Sequence, residues 1–124
     1  MIGGYNPDSG SFQSILVGYY EREKLMFAGK VRQRFNPALR STLLNKLKRL
    51  LTSRCPFYNL PTSKKSHFGE GITADDMNKL RWLKPKLVAQ VRFTEWTSYG
   101  LLRHATFVGL RADKEPAEVT REQA

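Results

Sequence analysis

The segment with the clearest period is Leu87-Val88-Ala89-Gln90-Val91-Arg92-Phe93-Thr94. Leu87, Ala89, Val91 and Phe93 alternate with Gln90, Arg92 and Thr94, which predicts a strand with its apolar side inward. Thr97-Ser98-Tyr99-Gly100 interrupts the pattern as a turn, and Leu101 to Leu110 returns as a second strand. Nearer the start, Ile15-Leu16-Val17-Gly18-Tyr19-Tyr20 is apolar on both faces, as expected of a strand buried on two sides or in a small barrel wall. Glu21-Arg22-Glu23 turns the chain, and Lys24 to Val31 comes back as its hairpin partner, with Gly29 a bend or a place where another backbone comes close. Ile2 to Tyr5 reads as a short preceding strand ended by the turn-rich Asn6-Pro7-Asp8-Ser9-Gly10.

One segment has helical spacing. Asn36 suits a cap and Pro37 a first helical position, and Leu39, Leu43, Leu47 and Leu50 then recur on one side to about Leu51. Leu44 and Leu51 widen that stripe, while Lys46, Lys48 and Arg49 fall outside it. Thr52 to Gly71 has no period and reads as a long surface loop, and Thr73 to Met77 as a short helical turn before Trp82. Three strands, a helix and two strands predict a mainly β domain, a five-stranded OB-fold barrel with the helix between strands 3 and 4. The domain takes residues 1–116 and leaves 117–124 as a polar tail.

Composition adds the partner. At 124 residues and 40% hydrophobic the chain can build one core and not two. Its formal charge is +10. Eleven Lys or Arg residues and no Asp or Glu lie between Lys24 and Lys65, so the counter-charge must come from outside, nucleic acid first and an anionic membrane second. No window approaches the ~20 apolar residues of a membrane span, and the first residues lack the basic and apolar regions of a signal peptide, so the expectation is a soluble, cytoplasmic protein without membrane contact. Cys55 is the single cysteine and excludes an internal disulfide. With His67 and His104 it lacks metal-ligand spacing, so no metal site is expected.

The cations divide by element: Lys30, Arg32 and Arg34 at the hairpin end and helix entry, Lys46, Lys48 and Arg49 on the helix, Lys64 and Lys65 on the loop. Read as a DNA-backbone surface, about five phosphate contacts would give a slope of log affinity against log salt of about −4 to −5. The bland alternative is a solvated face that only keeps the chain soluble. Trp82, Trp96, Tyr99 and Phe68 offer rings for base stacking, although Trp96, beside a well-patterned strand, fits packing better.

Several segments resemble one family in order. These are Ile2-Gly3-Gly4-Tyr5, Leu16-Val17-Gly18-Tyr19-Tyr20, Phe27-Ala28-Gly29-Lys30-Val31, Cys55-Pro56-Phe57, Phe93-Thr94-Glu95-Trp96-Thr97, and Leu102-Arg103-His104 with Phe107 to Lys114. Together they resemble the C-terminal OB domain of bacterial ATP-dependent DNA ligases, above all the ligase module of non-homologous end-joining enzymes. The resemblance implies that Phe107 to Lys114 is the final nucleotidyltransferase motif, which closes over ATP held in a separate adenylation domain. Arg111 and Lys114 would then help pyrophosphate leave and Asp113 would orient a cation, roles that suit a bidentate guanidinium and a point charge. It further implies duplex DNA as partner, an adenylation domain in cis or trans, ATP and magnesium for the complete enzyme but no cofactor held by this domain alone, and a nucleoid-associated bacterial protein. Two departures stand out. Arg32-Gln33-Arg34 replaces a Gly-rich segment, and no Lys-x-Asp-Gly adenylation site is present, so the chain alone is expected not to ligate. Two rival readings are a free-standing module for single-stranded nucleic acid and a basic docking domain for a repair partner.

Overall fold

A computed structural model describes residues 1–8, 11–32, 37–60, 72, 77–97 and 100–111. β1 (Ile2–Asp8), β2 (Ser11–Glu21) and β3 (Lys24–Val31) form an antiparallel meander. β1 is longer than expected, because Asn6, Pro7 and Asp8 stay in the ladder opposite Ser14, Phe12 and Ser11, with a register shift between Asn6 and Pro7, where proline has no N–H to give. At the β2–β3 turn Arg22 and Glu23 take positive φ values of 51° and 69°.

α1 (Pro37–Lys48) buries Leu43, Leu44 and Leu47 on β2, starts at Pro37 as expected, and places Lys46 and Lys48 in its last turn, where cations favour the negative end of the helix dipole. It ends sooner than its leucine spacing predicts. Leu51 begins β4 (Leu51–Thr52) and is 45% exposed instead of extending the buried stripe.

β5 (Arg81–Leu87) is a strand the sequence pattern did not announce. It pairs with β1 and β4 to give a five-stranded sheet of order β3-β2-β1-β5-β4. Pro85 conceals it, since proline normally ends a strand. Here the pairing with β1 skips from Trp82 to Leu87, so Pro85 lies in a bulge that asks no donor of it. Val88, buried, separates β5 from β6 (Ala89–Arg92), so the single strand expected at 87–94 is divided between two ladders. The alternation itself holds, with Ala89 and Val91 half-buried and Gln90 and Arg92 exposed. β6 pairs with β9 (Thr106–Leu110), and β7 (Glu95–Trp96) with β8 (Leu102–Arg103) across a turn in which Gly100 has φ 78°. The fold is therefore mainly β with one helix, and among the described residues the strands form three hydrogen-bonded sheets. The expected single five-stranded closed barrel is not what these ladders make: β8 meets β3 by packing of Leu102 on Gly29.

β2 is buried on both faces as its composition predicts. Ile15, Val17 and Tyr19 share one core with Leu43, Leu44 and Leu47, while Leu16 belongs to a second with Leu25, Phe27, Phe57 and Trp82. Arg40 of α1 donates to the Phe12 carbonyl and lies over its ring, 5.3 Å from the centroid, which ties the helix to the start of β2. The expected long loop begins as packed chain. Phe57 is buried against Phe27 and Trp82, the Tyr58 N–H donates to Leu25 O at 2.8 Å, and the Asn59 amide bridges both backbone groups of Phe27. These bonds cover part of the outer edge of β3, which would otherwise be open to pairing.

Candidate functional site

Arg111 stands directly after β9. Its backbone N–H donates to Val88 O at 2.8 Å, so the end of the last strand is anchored to the corner where β5 gives way to β6. Arg111 is half-buried and is among the residues that border a cleft of about 190 Å³, with Tyr19, Gln90, Phe93 and Trp96. Partial burial of a guanidinium strengthens its attraction to an anion relative to bulk water. Asp113 and Lys114, assigned with it from the sequence, lie outside the described residues, as do Arg34, Lys64 and Lys65.

The remaining cations fall into two groups. Lys30, half-buried on β3, and Arg32, exposed just after it, occupy one edge of the sheet. Lys46, Lys48 and Arg49 are exposed at the end of α1, which leads into β4 at the opposite edge. There the structure adds side chains that the sequence reading passed over. Arg81, Lys84 and Lys86 of β5 are exposed, and the Lys84 N–H donates to Leu50 O at 2.8 Å, joining the strand to the residue after Arg49. Neither α1, β4, β5 nor β6 contains an Asp or Glu, so this second group has no acid of its own elements to neutralise it. A three-cation pattern at 81, 84 and 86 was visible in the sequence; the proline between Lys84 and Lys86 hid the strand that presents it.

The aromatic candidates separate as clearly. Trp82 is only 9% exposed and packs edge-on to Phe57 with centroids 6.4 Å apart, so its ring is committed to the core rather than to bases. Trp96 is half-buried between Tyr19 and Phe93, at centroid distances of 5.5 and 5.6 Å. Tyr99 and Phe68 lie outside the described residues. Near β7 and β8, Arg103 pairs with Glu95 at 2.8 Å, an exposed ion pair of small energetic weight, and His104 Nδ1 lies 3.3 Å from the Thr94 hydroxyl. Among the described residues no three of His, Cys, Asp and Glu come together, and His67 lies outside them. Cys55 is half-buried with Sγ 3.7 Å from Phe57 O, and burial pushes its thiol pKa up. No described helix is long and apolar enough to cross a membrane.

With this geometry in hand, the chain can be set beside known proteins. Residues 8–114 match the family described as the ATP dependent DNA ligase C terminal region. The chain is 35% identical over 126 residues to a multifunctional non-homologous end joining protein LigD of Mycobacterium bovis, a match covering 98% of this chain and 15% of that protein. A LigD of Pseudomonas aeruginosa is 30% identical, over 99% of this chain and 14% of its own length. Among solved structures, the ligase domain of Mycobacterium tuberculosis LigD superposes with a TM-score of 0.81 at 36% identity, over 98% of this chain and 37% of that one. A mycobacterial DNA ligase D complexed with ATP and MES gives 0.78 over 98% and 36%. The chain thus spans about a seventh of the curated relatives it matches. By the extent of the family match and of these similarities, the chain belongs to the family of C-terminal regions of ATP-dependent DNA ligases.

Proposed function

We propose that this domain grips the backbone of broken or nicked duplex DNA without regard to sequence and lends its last segment to an adenylation domain during ATP-dependent sealing. The observation that carries the reading is the extent of the family match. It ends at Lys114 and so contains the whole Arg111–Lys114 segment, while Arg111 is anchored by its backbone beside a cleft. In this role Arg111 supplies a planar fork for phosphate oxygens, Lys114 a second positive charge for the departing pyrophosphate, and Asp113 an orienting partner. ATP and magnesium belong to the complete enzyme. The likeness to a solved ligase domain, together with Leu102 of β8 lying against Gly29 of β3, supports reading the three sheets as an OB-fold.

Duplex binding falls to the exposed cations at the end of α1 and on β5, with Lys30, Arg32, Arg34, Lys64 and Lys65 as further contacts. The burial of Trp82 argues against a stacking platform for long single strands. The test is to mix the chain with an adenylation domain that lacks this region and follow ATP-dependent adenylation of its lysine. Stimulation that disappears on Arg111→Ala with Lys114→Ala is the expected result. Equal stimulation by the double variant would remove the catalytic half of the proposal.

A further inference from the structure

β9 holds one residue more than its partner strand can pair. Gln90 faces Gly109 and Val91 faces Phe107, so Val108 is the extra residue of a β-bulge shortly before Arg111. Elsewhere in the sheets such residues have a packing reason. Ala28, the extra residue of β3 between the partners of Val17 and Gly18, is buried in the core. Gly3, the extra residue of β1 between the partners of Val17 and Leu16, leaves room for the Phe57 ring. Val108 has neither reason, since it is 47% exposed. Its bulge is not of the type that demands a left-handed glycine either, because Gly109 is not among the residues with positive φ.

Nor does the ladder need the extra residue. Phe107 is buried and Leu110 packs against the same core, and their partners Val91 and Ala89 pack against that core from β6. Without Val108 the pairs Val91 with Phe107, Gln90 with Gly109 and Ala89 with Leu110 would run on unbroken, each residue keeping its present face. What would be lost is the local bend and added twist that an extra residue gives its strand. Beyond the bulge the strand stays tied to its neighbour as far as the Arg111 N–H on Val88 O, so the bend is passed directly to the segment that starts at Arg111. We infer that Val108 is a positioning residue: by its presence in the chain, and not by its side chain, it sets the direction in which Arg111 and the residues after it are offered to the adenylation domain. This rests on the reading of Arg111 to Lys114 given above and deepens it.

The test follows single-turnover adenylation of the adenylation domain's lysine, at saturating ATP and saturating concentrations of this chain, for the chain with Val108 deleted and for Val108→Ala and Val108→Thr. Misplacing a catalytic group by about 1 Å costs on the order of a hundredfold, so the deletion should slow the stimulated rate by about that factor even at saturation. Its circular dichroism should match the parent chain and its duplex affinity should stay within about twofold. Val108→Ala and Val108→Thr keep the residue count and should hold the rate within about twofold. An unchanged rate on deletion would overturn the inference, and so would a Val108→Ala chain as slow as the deletion, which would make the side chain a direct contact. A deletion chain that fails to fold would overturn it too, because the ladder would then need the residue. Arg111→Ala with Lys114→Ala, run alongside, separates the two levels. Loss of rate in that double variant with none on deletion removes only the role of the bulge, whereas loss in neither removes the reading of the segment as well.

Discussion

Gly18 shows why single residues in this chain cannot be judged by local propensity alone. In a two-faced apolar strand a glycine looks like a weak point. A Cβ there would overlap the Met26 carbonyl oxygen and come within 2.7 Å of the Phe57 ring, and one on Gly3 would lie 2.5 Å from that ring. Phe57 therefore sits on two bare backbones, and the Cys55-Pro56-Phe57 segment and the Gly3 and Gly18 positions are parts of one contact. Gly18→Val should destabilise the domain by roughly 2–3 kcal/mol, measured by urea unfolding, as expected for overpacking against atoms that cannot withdraw. Cys55 gives a pH prediction. Burial raises its folded pKa, while the unfolded thiol titrates near the ordinary 9.0. A raised folded value means that the stabilising contribution is complete below the unfolded pKa and is lost as pH rises through the folded one. Stability should therefore fall above about pH 9 more steeply in the native chain than in Cys55→Ala, a difference that thermal melts at pH 8 and pH 10 will display.

Among the elements, α1 and β5 mark the two ends of legibility. The leucine spacing of α1 predicted its buried side, because a helix repeats its packing surface every three or four residues whatever it meets. Leu47, fully buried between helix and sheet, should cost about 2–5 kcal/mol on truncation to alanine, seen as a lower unfolding midpoint with little change in slope. β5 was missed because its pairing is long-range. Its partners, β1 and β4, are distant in sequence or only two residues long, and a bulge at Pro85 hides the alternation. The cost of missing it was functional, since Arg81, Lys84 and Lys86 were left out of the predicted DNA surface. If β5 touches phosphates, Lys84→Ala with Lys86→Ala should flatten the salt slope of duplex binding by about 1.8, at about 0.9 per lost contact. Lys24→Ala, whose ammonium lies 4.1 Å above the Tyr58 ring on the β2–β3 side, serves as the control and should leave the slope unchanged.

For the molecule as a whole, the prediction concerns Arg111 in the presence of an adenylation domain. Arg111→Ala should slow lysine adenylation roughly a hundredfold, comparable with removal of one preorganised donor at a developing charge, while blunt-duplex affinity stays within about twofold. Arg111→Lys should recover only part of the rate, because an ammonium cannot reproduce the two-pronged geometry of a guanidinium. A single-turnover assay with labelled ATP separates these outcomes. Hydrophobic spacing and unbalanced charge were enough to determine a mainly β chain with one amphipathic helix, a strand buried on both faces and a cationic surface, because each depends on neighbours within a few residues. Only the tertiary structure decided that Val88 splits one expected strand between two ladders, that Trp82 is core while Trp96 borders a cleft, and that β5 sets its lysines beside the end of α1. Those outcomes depend on which distant backbones pair and where side chains from separate strands meet, and no local period encodes either.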